Sequence, residues 1–245
     1  MQMIRPEDLI HKSQLNRLLI EIADHPHLSQ ALAFKGGTCA AMLGFLDRFS
    51  VDLDFDIPQA LDEALIREEF HHLFDILGFA VIRELEKAVF FQLRYPSQAR
   101  QRSTLKVGAS DLRVRANRYK IQYFAEIDRL INSQTLETIV ANKFVAVMDR
   151  YRQHHTIAGR DIYDIHHFMI NGYPYEPSVI TERTGLESKV FFQTLIDFIQ
   201  EHVTQTIVQE DLNALLPARE FQAIRKILIP ETLALLSARL SDPTP

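Results

Sequence analysis

Asp52 and Asp54, spaced two apart in the run Val51-Asp52-Leu53-Asp54-Phe55-Asp56, are the side chains best suited by type and position to do chemistry. Val51, Leu53 and Phe55 alternate with the acids, the period of two expected of a strand with one apolar face, so both carboxylates project from the opposite face. Their Cα atoms should stand roughly 7 Å apart. If the charges converged to about 4 Å they would repel by roughly 4 kcal/mol at an effective dielectric of 20, a penalty that a divalent cation removes. Hard oxygen ligands at an open site favour Mg²⁺ or Mn²⁺, which complete their shells with water and substrate phosphates. Upstream lies Lys35-Gly36-Gly37-Thr38. Without Cβ atoms, Gly36 and Gly37 let backbone N–H groups approach a triphosphate, and Thr38 is placed to cap a helix running to Leu46. Ser50, two residues before Asp52, shares its face, where its hydroxyl would either touch a triphosphate oxygen or bond to backbone at the strand edge.

A second set of charged residues lies far downstream. Lys143 and Arg150 are seven residues apart in an apolar-striped helical pattern beginning near Gln134, which puts both cations on one helix face. Two aligned cations can clamp a triphosphate or an RNA backbone. Asp161 and Asp164, at i and i+3 of the next helix, are expected to pair with Lys143, Arg150 or Arg160 and fix them. Between Arg94 and Lys120 the chain carries +7, leaving −12 elsewhere in a protein of net charge −5. Arg94, Arg100, Arg102, Arg113 and Arg115, with Tyr95, Tyr119 and Tyr123 in or beside the segment, offer phosphate partners and stacking surfaces for nucleic acid.

Lys35-Gly36-Gly37-Thr38, Arg48-Phe49-Ser50 and Asp52-Leu53-Asp54-Phe55, followed by Lys143 to Arg150 and by Arg160-Asp161-Ile162-Tyr163-Asp164, resemble in type and order the signature of the AbiEii/AbiGii nucleotidyltransferase toxin family. That family lies within the polymerase-β-like nucleotidyltransferase superfamily. The resemblance covers roughly the first 170 residues. It implies a metal-dependent transferase that moves a nucleotide from an NTP to an acceptor. It also implies that tRNA is a frequent acceptor and that an antitoxin is a partner. By the same resemblance Asp52 and Asp54 hold the metal and Lys35 joins the phosphate-binding turn. The superfamily usually adds a third carboxylate from a neighbouring strand. In the stretch Leu105–Ser110 no acid stands near Gly108, and Asp111 or Asp56 would have to substitute. Loss of that ligand supports an alternative reading, a catalytically weakened nucleotide-binding or regulatory module.

The elements that must position these groups are readable in outline. The fold class expected is α+β: a nucleotidyltransferase-type mixed sheet flanked by helices over residues 1–133, then a helical subdomain over 134–245. Helices are expected over 6–24, 38–46 and 61–77, the last stopped by Gly78. Strands are expected over 31–35, 79–85, 88–95, 103–107 and 120–127, with a further one from Arg113 onward. Downstream, a break at Pro174–Pro177 precedes helices over 187–203 and 218–240. With 47% hydrophobic and 24% charged residues the chain can bury a large core. No uncharged run is long enough to span a bilayer and the N-terminus lacks a signal-peptide core, so a cytoplasmic location is expected. The single Cys39 sits in an apolar stretch and reads as buried filler.

Overall fold

The computed structural model describes residues 8–59, 62–97, 102–111 and 114–241. The chain forms two compact units, Met1–Arg113 with Tyr119–Gln134, and Val114–Arg118 with Thr135–Pro245. The fold is mixed α/β, as expected, with one seven-stranded sheet and eleven helices among the described residues.

The first unit holds the whole sheet. Its elements are α1 (Leu9–Asp24), α2 (Leu28–Ala31), β1 (Ala33–Lys35), α3 (Gly36–Met42), β2 (Asp52–Asp56), α4 (Glu63–Leu77), β3 (Ala80–Glu84), β4 (Val89–Arg94), β5 (Thr104–Ser110), β6 (Tyr119–Phe124) and β7 (Arg129–Gln134). The strand order is β3-β4-β5-β2-β1-β7-β6. β2 runs parallel to β5 and antiparallel to β1, and β1 runs parallel to β7. Alternation sorts the two faces. Phe34, Leu53, Phe55, Val107, Phe91 and Leu93 are buried on one face, which α1 and α4 cover. Asp52, Asp54, Lys106, Gly108, Phe90 and Arg94 follow the other parity and lie on the opposite face.

Several expectations are corrected here. β5 extends to Ser110, three residues beyond the expected end, because a glycine within it does not stop pairing with β2 and β4. β7 was not foreseen: of its residues Arg129-Leu130-Ile131-Asn132-Ser133-Gln134, buried Ser133 and Gln134 hide the alternation. Residues 114–118 form a turn instead of a strand, and Arg113 lies outside the described residues. In α1, Leu9 is exposed, and the buried stripe is His11, Leu15, Leu18, Leu19 and Ile22.

The second unit is helical: α5 (Leu136–His154), α6 (Gly159–Ile170), α7 (Pro177–Thr184), α8 (Ser188–His202), α9 (Gln205–Leu212), α10 (Ala218–Ile224) and α11 (Leu228–Ser241). Thr135 caps α5 by accepting from the Thr138 N–H, with Glu137 in its first turn. Pro177 opens α7, and Gly185 closes it in the left-handed region. The single helix expected over 218–240 is two, parted by a turn at 225–227 and with Pro230 in the first turn of the second. Among the described residues no helix is long and apolar enough to cross a membrane.

Candidate active site

β2 carries the acids. Leu53 and Phe55 are buried in the core face, which fixes the register and turns Asp52 and Asp54 the other way: Asp52 is half-buried and Asp54 exposed. Asp54 pairs in register with Lys35 of β1 on one side and Gly108 of β5 on the other. Gly36 follows β1 with φ +79°, and a Cβ built there would lie 3.0 Å from Asp54 Oδ2. The turn needs glycine twice over, for the left-handed backbone and for the carboxylate beside it.

Thr38 does not cap α3; Lys35 occupies that position, and its side chain makes no capping bond. Buried Thr38 instead donates its hydroxyl to the Asp52 carbonyl and lies 2.8 Å from Ser50 Oγ, tying α3 to the start of the acid strand. Gly37 is enclosed as well. A Cβ on it would meet Arg48 Nη2 at 2.9 Å and Ser50 Oγ at 3.2 Å. Arg48, named only as part of a motif in the sequence, is thus a buried support beneath the turn, donating to the Phe49 carbonyl.

His11 was missed by sequence reasoning. Its Nε2 lies 2.8 Å from the Val51 carbonyl, at the entry to β2, and its Nδ1 lies 2.7 Å from the Tyr95 hydroxyl. A carbonyl only accepts, so Nε2 carries a proton. Burial, opposed by the bond to Val51 and reinforced by Arg102, lowers its pKa to about 4 and keeps the ring neutral near pH 7. Its place on the apolar stripe, four residues before Leu15, was the available signal.

Asp56 shares the parity of Asp52 and Asp54 but is spent structurally. It is buried and accepts from Lys35 Nζ at 2.5 Å, Gln134 Nε2 at 2.6 Å and the Tyr119 hydroxyl at 3.0 Å. The Lys35 ammonium is accordingly held on Asp56. Asp111 is exposed just past β5. It lines a cavity of about 270 Å³ together with Lys35, Asp54, Glu63, Phe90 and Gly108. A Cβ on Gly108 would meet Phe90 Cδ2 at 3.6 Å and the Val89 carbonyl at 3.8 Å, ordinary contacts, so a Cβ is accommodated across from Asp54 although none is there.

Among the described residues no group of three or more His, Cys, Asp or Glu side chains is gathered for a metal. Asp52 and Asp54, with an adjoining cavity, nonetheless suit Mg²⁺, which commonly takes one or two carboxylates and fills its shell with water and phosphates.

In the second unit the structure brings together Lys143, Arg150, Asp161 and Asp164. Lys143 Nζ lies 3.1 Å from Asp161 Oδ1 and 2.7 Å from Asp164 Oδ2, and Arg150 Nε lies 3.2 Å from Asp161 Oδ2. Both carboxylates are buried, Lys143 is nearly so, and Arg150 is more exposed. Burial alone would raise the Asp161 pKa. The charges of Lys143 and Arg150, the Lys143 hydrogen bond and, more weakly, Arg160 overcome it and hold the pKa at about 2.

The +7 segment does not act as one patch. Arg94 and Lys106 lie on the acid-bearing face of the sheet. Arg102 turns to Asp8, with Nε 3.9 Å from Oδ1. Arg115 belongs to the second unit, where its N–H donates to Glu182. Arg100 and Arg113 lie outside the described residues.

Solved structures share this architecture. JHP933 from Helicobacter pylori aligns over 98% of this chain and 94% of its own, with 17% identity and a TM-score of 0.60. MenT4, a nucleotidyltransferase toxin from Mycobacterium tuberculosis H37Rv, aligns over 95% and 86%, with 18% identity and a TM-score of 0.55. At such identities the likeness carries the fold. A comparison with curated protein sequences finds no match. The sequence profile of the nucleotidyl transferase AbiEii toxin, of type IV toxin–antitoxin systems, matches residues 17–234, which span both the acid strand and the Lys143 cluster. With the profile covering most of its length, the chain belongs to the AbiEii nucleotidyltransferase toxin family and is a nucleotidyltransferase.

Proposed function

We propose that the protein transfers the nucleoside monophosphate of an NTP to a hydroxyl of an RNA acceptor, tRNA foremost, in a reaction dependent on Mg²⁺ or Mn²⁺. It would do so in the cytoplasm as the toxin of a toxin–antitoxin pair. The observation that carries this reading is the pair of outward carboxylates on β2, set between the Gly36 turn and an open cavity. Asp52 and Asp54 would hold the metal, which when bound lowers the pKa of the attacking hydroxyl and neutralises the triphosphate. Gly36 gives the triphosphate a close approach, and Ser50, half-buried beside Gly37, orients an oxygen of it. Lys35 keeps its ammonium near the site through Asp56. In the second unit we assign Arg150, the more exposed cation of its cluster, to phosphate charge. Asp161 would hold its guanidinium in position, Lys143 in turn bridges Asp161 to Asp164, and Arg160 adds positive charge beside Asp161.

The test is transfer of α-³²P-labelled NTPs to total tRNA. Asp54→Asn should remove label transfer by at least about 10³-fold while far-UV circular dichroism is unchanged. Label transferred at the wild-type rate by this variant would overturn the assignment.

A second reading is favoured by the Asp54–Gly108 register, which leaves the place of the third carboxylate empty of a side chain. On that reading the chain binds NTP and transfers poorly. Gly108→Asp, whose Cβ would make only ordinary contacts, should then raise transfer about tenfold or more. An unchanged or lower rate, with NTP binding retained in calorimetry, would speak for a site that works with two acids.

A further inference from the structure

One face of the first unit's sheet carries more than the acids. Directly opposed residues on paired strands share a face, so the register defines rows across it. One row runs Arg83 (β3), Gln92 (β4), Lys106 (β5), Asp52 (β2). Beside it runs Phe90 (β4), Gly108 (β5), Asp54 (β2), Lys35 (β1), and on the other side Arg94 (β4) pairs with Thr104 (β5). Strands stand about 4.8 Å apart, so Lys106 adjoins Asp52 and Arg83 is about 10 Å further out.

Arg83 reaches this face through an irregularity. Val81 pairs with Leu93 and Arg83 with Gln92, leaving Ile82 as an extra residue. Simple alternation from Ala80 would have sent Arg83 to the helix-covered face; the bulge re-aims it. Arg83, Arg94 and Lys106 are all exposed. Among the described residues no ion pair involves any of the three. Phe90 is half-exposed, lines the cavity with Asp54, and is separated from it in its row by a residue without a side chain.

We infer that Arg83, Arg94 and Lys106 form a phosphate-binding track for a single-stranded RNA segment, which stacks an unpaired base on Phe90 and so presents its hydroxyl beside Asp54. This rests on the reading of Asp52 and Asp54 given above. The chain's net negative charge and the two site carboxylates repel a polyanion, and three unneutralised cations leading to the acids offset that locally. A single strand is required because a base inside a duplex cannot offer its face to Phe90.

The experiment is fluorescence anisotropy of a fluorescein-labelled twelve-nucleotide RNA, single-stranded and as a duplex, between 50 and 200 mM salt. The wild type should prefer the single strand. Arg83→Gln/Arg94→Gln/Lys106→Gln should bind at least about 30-fold more weakly at low salt, with the slope of log affinity against log salt reduced by about 2, near 0.7 for each lost phosphate contact. Phe90→Leu should lose about tenfold in affinity with its slope unchanged. The track is overturned if the wild type binds no single strand at low salt, if the triple variant keeps wild-type affinity and slope, or if duplex binds as tightly as single strand. Unchanged RNA binding by the triple variant would leave the cations to a protein partner. Label transfer measured in parallel separates the two readings. Track-dependent RNA binding without any transfer overturns the carboxylate assignment alone, whereas transfer lost in Asp54→Asn with RNA binding unchanged in the triple variant overturns the track alone.

Discussion

Gly36→Ala is expected to lower nucleotide transfer by about 10²-fold or more while the protein stays folded. Two costs fall on this substitution. At φ +79° an alanine pays on the order of 1–2 kcal/mol for the left-handed backbone. Its Cβ would also lie 3.0 Å from Asp54 Oδ2 and 3.4 Å from Asp54 Cβ, so the carboxylate must move by a few tenths of an ångström. Small misplacements of a reacting group carry rate losses far beyond their cost in stability. Gly44 supplies the control. It has φ +81°, yet a Cβ there meets nothing within 4 Å. Gly44→Ala should therefore show a similar loss of stability and nearly wild-type transfer. Equal transfer in the two variants would mean that Asp54 is not what the turn positions.

The second large effect is expected from Lys143→Met, in stability as well as activity. Asp161 and Asp164 are almost wholly buried, and their oxygens lie 3.1 and 2.7 Å from the Lys143 ammonium. Removing the cation leaves buried negative charge poorly compensated, which costs about 3–5 kcal/mol where such pairs have been broken. The chain contains no tryptophan, so urea unfolding followed by far-UV circular dichroism is the suitable measurement. The pH dependence has a definite sign. Asp161 is held at about 2, below its ordinary 3.8, so its stabilising contribution is fully present above about pH 4 and is lost as pH falls towards 2. Without Lys143 burial gains the upper hand, the Asp161 pKa rises, and acid unfolding should begin at higher pH than in the wild type. Lys143→Met/Asp164→Asn should recover part of the loss, since a pair removed together leaves less unpaired charge. An unchanged urea midpoint in the single variant would show that Arg150 and its neighbours suffice to hold both carboxylates.

What could be read in advance depended on whether a residue's role followed from its local spacing. β2 was legible because its alternation is strict and Leu53 and Phe55 are core residues. The stop at Gly78 was legible because a left-handed C-cap favours glycine. Thr38 was recognised by type but not by partner, since the Asp52 carbonyl it holds lies fourteen residues on and is brought near only by the sheet. β7 was invisible because polar Ser133 and Gln134 are both buried, Ser133 on the face it shares with Phe34 and Gln134 on the other, where it satisfies Asp56. The break before α11 carries only one local mark, Pro230 in the first turn of that helix, within an apolar pattern that runs unbroken over 218–240. The basic residues were read by proximity along the chain, whereas pairing register groups Arg94 and Lys106 with Arg83 and sends Arg102 and Arg115 elsewhere.

The extra residue in β3 also bears on how this chain can change length over evolutionary time. β3 is an edge strand, and Ile82 can be dropped from it with Arg83 still opposite Gln92 and Glu84 still opposite Phe91. The acid strand has no such slack. It is hydrogen-bonded to β1 and β5 on its two sides, and one residue gained or lost ahead of Asp54 would exchange its faces, sending a carboxylate into the core and a core side chain out. Insertions and deletions in descendants of this sequence should therefore collect at the rim of the sheet and be purged from its centre.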